Sequence, residues 1–63
     1  MKDIKEMTVK ELRMAIWDAY ADFEKNADKY VDHGNKAAGA RARMASLKLA
    51  KLYKAFRKAT ING

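Results

Sequence analysis

Eight cationic side chains, Lys36, Arg41, Arg43, Lys48, Lys51, Lys54, Arg57 and Lys58, stand in residues 34–63 of a 63-residue chain, with no carboxylate among them. The chemistry they suit is the binding of phosphate oxygens. The arginine guanidinium is a planar fork for two oxygens, and the lysine ammonium is a mobile point charge. Residues 1–33 hold eight carboxylates against six Lys or Arg, a balance of −2, so the overall net charge of +6 conceals a second half that carries +8. Like charges on one segment repel, and a polyanionic partner relieves that cost. No group of Asn or Gln stands among these cations to read base edges, so contact is expected with a phosphate backbone and with little dependence on sequence.

Other chemistries find no residues to carry them. Cysteine is absent, which removes disulfides, thiolate metal sites and thiol catalysis. Asp28, Asp32 and His33 form one small group with acid–base or metal-ligating side chains. It has no second imidazole, and its place beside Gly34 reads as capping and surface chemistry. No nucleophile motif, phosphate loop or paired-carboxylate arrangement accompanies it. The chain is therefore expected to be no enzyme and to use neither metal nor cofactor.

The elements that must position the cations are helices. Proline is absent, glycine occurs three times, and Ala, Lys, Arg, Leu, Met and Glu fill most positions. Thr8-Val9-Lys10-Glu11 has the capping-box pattern, with Met7 and Leu12 as its hydrophobic staple. Val9, Leu12, Ile16, Ala19, Phe23, Asn26 and Tyr30 then recur at intervals of three and four along one stripe. Asn26 alone interrupts its apolar character. As a polar seam residue it either fixes register across a bundle or sits solvated at the edge.

Asp32-His33-Gly34-Asn35 supplies the stop, because glycine takes the left-handed conformation that closes a helix and asparagine caps the next. The second helix has its own seam: Ala38, Ala42, Ala45, Leu49, Leu52, Phe56 and Ala59. The expected architecture is all-α, one domain over residues 1–63. It is an antiparallel hairpin of helices over about 9–32 and 36–60 joined by a turn at 33–35. Small residues beside Gly39 let the axes approach and leave room for Tyr30 and Phe23 opposite. Projection of the second helix puts Lys36, Arg43, Lys51, Lys54, Arg57 and Lys58 opposite its seam, with Arg41 and Lys48 at one border. Asn35, Lys36, Arg41 and Arg43 also lie near the helix start, where unpaired N–H groups favour an anion.

A single core in so short a chain supplies only about 3–5 kcal/mol of net stability, so a further staple is expected. Ile16, Trp17, Tyr20, Ala27 and Val31 fan away from the first seam, more apolar surface than one partner helix covers. A homodimer forming a four-helix bundle would cover it, with Ile16, Trp17, Tyr20, Phe23 and Tyr30 as the interface. The spaced aromatics fit a core or interface better than base stacking, and Tyr53, off the seam on the basic helix, is the best exception. No apolar run approaches the ~18 residues that span a bilayer, and MKDIKEM alternates charge with hydrophobe, so a cytoplasmic protein without a membrane partner is expected.

Gly34-Asn35-Lys36-Ala37-Ala38, Arg41, Arg43, Ser46, Lys48, Leu49, Lys51, Lys54, Arg57-Lys58 and Thr60-Ile61 stand in an ordered combination. Over residues 34–61 that combination resembles the core of the bacterial linker-histone-like proteins, nucleoid proteins best known from chlamydiae. The first helix resembles the family in length, charge mixture and position. The resemblance implies double-stranded DNA as partner, location in the bacterial nucleoid, compaction of its DNA, and self-association through the amino-terminal helix. Chlamydial members carry a Lys, Ala and Pro-rich tail that has no counterpart in residues 1–63, so binding is expected from the folded basic face. Two alternatives stay open: RNA in place of duplex DNA, and an assembly module that binds no nucleic acid. A basic amphipathic helix on a membrane would have to expose Leu49, Leu52 and Phe56, which the hairpin buries. Ser46 and Thr60 are candidate phosphorylation sites that would reduce the positive charge.

Overall fold

The computed structural model describes residues 3–62. Among them lie a short 3-10 turn, η1 (Ile4–Glu6), and two helices, α1 (Val9–His33) and α2 (Lys36–Asn62), packed side by side as an antiparallel hairpin. Twenty-seven residues at about 1.5 Å each give a rod of about 40 Å, in keeping with overall dimensions of 43 × 20 × 14 Å.

Each boundary has a local cause. Thr8 Oγ1 accepts from the Glu11 amide at 3.1 Å, and Glu11 Oε1 accepts from the Thr8 amide at 2.9 Å, so the capping box is complete at the start of α1. Met7 and Leu12 lie in one apolar cluster as its staple. At the far end Gly34 adopts φ 62°, ψ 25°, and its N–H reaches the Lys29 and Tyr30 carbonyls that the helix would leave unpaired. Asn35 follows at once: its Oδ1 accepts from the Ala38 amide at 3.1 Å and opens α2. Two residues suffice for the reversal, which forces the helices to be neighbours along their whole length.

The two predicted stripes meet. Leu12 and Ala19 from α1 and Ala38, Ala42, Ala45, Leu49 and Leu52 from α2 are buried, while Ile16, Phe23, Phe56 and Ala59 are half-buried beside them. The seam frays at its two ends, where Val9 and Tyr30 remain more than two-fifths exposed because each has only one flank against α2. Packing is graded along the rod. Near the turn α2 buries alanines, Ala38, Ala42 and Ala45; away from it the seam is filled by Leu12, Leu49, Leu52 and Phe56.

η1 closes the end of the seam away from the turn. Asp3 caps it through the Lys5 amide, and Ile4 and Met7 lie against the Leu12–Leu52 cluster. Among the described residues, Leu12 and Leu52 are the large side chains removed almost entirely from water. Cutting either back to alanine removes about 2–5 kcal/mol, as much as the whole net stability of a domain this size.

Asn26 is not at a solvated edge. It is 5% exposed, inside the hairpin's own seam, and its side chain is fully bonded there.

Candidate nucleic-acid interface

Burial of Ala38, Ala42, Ala45, Leu49 and Leu52 fixes the rotation of α2 about its axis. The cations at intervening positions lie outside that buried seam, and Lys36, Arg41, Arg43, Lys48, Lys51, Lys54, Arg57 and Lys58 are all exposed. From Lys36 to Lys58 is 22 residues, about 33 Å of rise, close to one turn of duplex. The cations do not form one tight cluster. Lys36 and Arg43 border a hollow floored by Ala27, Tyr30, Val31, Gly39 and Ala42. Arg41 and Lys48 border the opposite groove with Asp22 and Met44, and Lys58 lies beside η1 near Ile4 and Met7. The result is a charged rod side with shoulders on both flanks, suited to a backbone of repeated charges.

Two of the residues singled out for phosphate contact also have structural partners. The Asn35 side-chain oxygen is engaged as the cap of α2. Arg41 donates from Nε to Asn26 Oδ1 across the hairpin at 3.1 Å. Ser46 and Thr60 turn their hydroxyls back onto their own helix, Ser46 to the Arg43 carbonyl at 2.7 Å and Thr60 to the Phe56 and Arg57 carbonyls.

Trp17, Tyr20 and Tyr53 lie together away from the cations of α2. Trp17 is 68% exposed and shares a hollow with Arg13, Met14, Ile16, Tyr20 and Tyr53. Tyr53, although on α2, thus faces the aromatic flank and not the cationic side. Ile16 and Phe23 pack partly against the hairpin's own core, and the Phe23 ring lies 6.5 Å from that of Tyr20. On α1 the acidic pair Asp28 and Asp32 is one turn apart. A hydrogen bond with Asp28 and the charge of that neighbour hold the Asp32 carboxyl above its ordinary value.

Two features of this surface escaped the sequence reading. Met44 and Leu47 stand exposed among the cations of α2, so the basic side is interrupted by apolar side chains. The bond between Asn26 and Arg41 is the other, and a signal for it exists. In a tight hairpin, residues equidistant from the turn face each other, and Asn26 lies eight before Gly34 and Arg41 seven after it.

A family model described as Histone H1-like protein Hc1 matches residues 1–62. The chain belongs to the histone H1-like Hc1 family. The match extends through α1, beyond the 34–61 segment whose residues carry the resemblance by eye. No curated protein and no solved structure matches the chain. Membership in the Hc1 family makes it a histone-like DNA-binding protein, in a family that is architectural and not enzymatic, and implies DNA as its partner and a nucleoid or cytoplasmic location. Among the described residues no helix is long and apolar enough to cross a membrane, and no group of three or more His, Asp or Glu could hold a metal ion.

Proposed function

We propose that this Hc1-family hairpin binds duplex DNA along the outer side of α2, touching phosphates and not base edges, and that pairs of hairpins compact the DNA they hold. The observation that carries the reading is the exposure of all eight α2 cations on a helix that has no carboxylate of its own. Arg41, Arg43, Lys48, Lys51, Lys54, Arg57, Lys58 and Lys36 supply the charge, and Asn35 presents the amino end of the helix. Phosphate contact needs charge at roughly regular spacing and tolerates any base sequence.

Compaction needs two DNA-binding faces on one particle. Trp17, Tyr20 and Tyr30, with Ile16 and Phe23 beneath them, form the side through which a second copy docks, supported by Tyr53 and Val31. That flank adjoins the cationic side of α2 where Lys36 and Arg43 border the hollow of Tyr30 and Val31, so a homodimer leaves the cations from Lys48 to Lys58 of each copy open. Coverage of the aromatics also supplies the stability that so small a core lacks.

The test is a mobility-shift titration of a short duplex across salt concentrations, with the native chain and the variant R41Q/R43Q/K51Q/K54Q. About five phosphate contacts give a log–log salt slope of roughly −4 to −5. The variant should bind more weakly with a shallower slope. Equal binding by both chains refutes the basic-side reading, and a shift obtained only with RNA assigns the side to another polyanion.

A further inference from the structure

Asn26 is a buried amide whose two ends have different tasks. Its Nδ2 donates to the Asp22 carbonyl oxygen at 2.8 Å and to Asp22 Oδ1 at 3.3 Å. The first of these acceptors is backbone, so the amide is held in one orientation whatever side chain stands at position 22. Oδ1 must then face α2, where it accepts from Arg41 Nε at 3.1 Å. Arg41 is itself exposed on the α2 cationic side, next to Lys48 at the border of the groove. A guanidinium has five N–H donors. The bond to Asn26 uses the one at Nε, and both Nη groups are left without a partner among the described residues.

We propose that Asn26 is a positioning residue for DNA binding: it holds the Arg41 guanidinium in place from behind, so that the Nη pair meets a phosphate already oriented. The inference rests on the reading of the α2 side as the phosphate-binding surface. The physical reason is entropy. A free arginine loses most of its rotamer freedom when it grips a phosphate in two-point fashion, and a side chain already tethered at Nε loses less. Lysine cannot perform the same task, because one ammonium cannot donate sideways to an amide and present a planar fork forward. A neutral acceptor is also the right anchor. A carboxylate at 26 would hold Arg41 as well but would cancel the charge that the phosphate is to meet.

The test is binding of a duplex of about 20 base pairs by fluorescence anisotropy across salt, using the full chain and the set N26L, R41Q, N26L/R41Q and R41K. N26L keeps apolar bulk in the seam, and thermal melting followed by circular dichroism confirms that it is folded. N26L should lose about threefold to tenfold in affinity with its salt slope unchanged, since the number of cations is the same. R41Q should lower the magnitude of the slope by about 0.9, and N26L/R41Q should bind as R41Q does. R41K, altered only at an exposed position, should lose affinity without a change of slope.

In the DNA-free protein, Arg41 should show an Nε–H resonance protected from solvent exchange, and N26L should abolish the protection. Native affinity in N26L or in R41K overturns the proposal. So does the same fold-loss for N26L in the R41Q background, which would make Asn26 a support of the hairpin only. Failure of the underlying reading looks different: K36Q/R43Q/K51Q/K54Q would then bind DNA as the native chain does.

Discussion

The ring of Tyr30 lies against the α-carbon of Gly39, so closely that a Cβ at position 39 would stand 2.5 Å from Tyr30 Cδ1 and 2.9 Å from Cε1. The glycine is an acceptor for the ring and not a turn residue, because it lies within α2 at ordinary helical φ. Alanine in a helix is ordinarily favoured over glycine by about 1 kcal/mol. Here the methyl group meets the base of a ring that cannot swing away without leaving the seam. Gly39→Ala is therefore expected to destabilise the native chain by about 1 kcal/mol, as overpacking does. In a Tyr30→Ala background the same change should stabilise by about that amount. Urea unfolding of the four chains reads the reversal of sign, and a stabilising Gly39→Ala in the native background would disprove the steric argument.

Gly34 poses the opposite problem. Nothing lies within 4 Å of where its Cβ would stand, yet its φ of 62° is a conformation that L side chains enter at a cost. Gly34→Ala should lose about 1–2 kcal/mol from backbone strain alone. Gly34→Asn should lose less, because asparagine tolerates the left-handed region. Equal losses in urea melts would point to a packing cause that the open space around Gly34 contradicts.

The carboxyl of Asp32 makes stability depend on pH in a defined sense. Asp32 titrates above its ordinary value of 3.8 in the folded hairpin, through its hydrogen bond with Asp28 and that neighbour's charge. A raised folded value means that the folded state takes up the proton before the unfolded chain does, so Asp32 disfavours folding when ionised and ceases to do so as pH falls. Removal of the carboxylate in Asp32→Asn should raise the melting temperature at pH 7. The gain should shrink as pH drops below the folded value and vanish under 3.8. A gain that is constant from pH 7 to pH 3 would mean that helix propensity, and not charge, is responsible.

Trp17 is exposed in the hairpin and central to the flank assigned to a second copy. Trp17→Glu removes the apolar anchor and adds a charge that would be buried at such an interface. Light scattering should find the native chain dimeric and the variant monomeric at the same concentration, with circular dichroism unchanged in shape. A native chain that scatters as a monomer up to millimolar concentration would remove the dimer from the account while leaving phosphate binding intact.

Much of the hairpin was legible in the residues alone. Thr8 and Glu11, Gly34 and Asn35 are short-range devices whose partners lie within six residues, so their hydrogen bonds follow from spacing. The seam of α2 was equally readable, because alanine and leucine at intervals of three and four have one way to face a partner. η1 was not foreseen: its three residues have too little periodicity to announce a turn, and it forms because Ile4 and Met7 find an apolar surface made by Leu12 and Leu52. Tyr53 could be placed off the seam but not on a flank, since that depends on which side of α1 it meets.

The amino-acid order by itself determined two helices, their antiparallel pairing and the sign of the charge turned outward. Each of these is a property of one helix about its own axis or of a turn of two residues. What the tertiary structure decided is how the two helices are rotated against each other. Only that rotation brings the oxygen of Asn26 to the guanidinium of Arg41, sets the ring of Tyr30 on Gly39 and gathers Trp17, Tyr20 and Tyr53 on one flank. The physical reason is that periodicity defines a direction within a helix, whereas contact between helices depends on the volumes that fill the gap: alanine near the turn and leucine away from it.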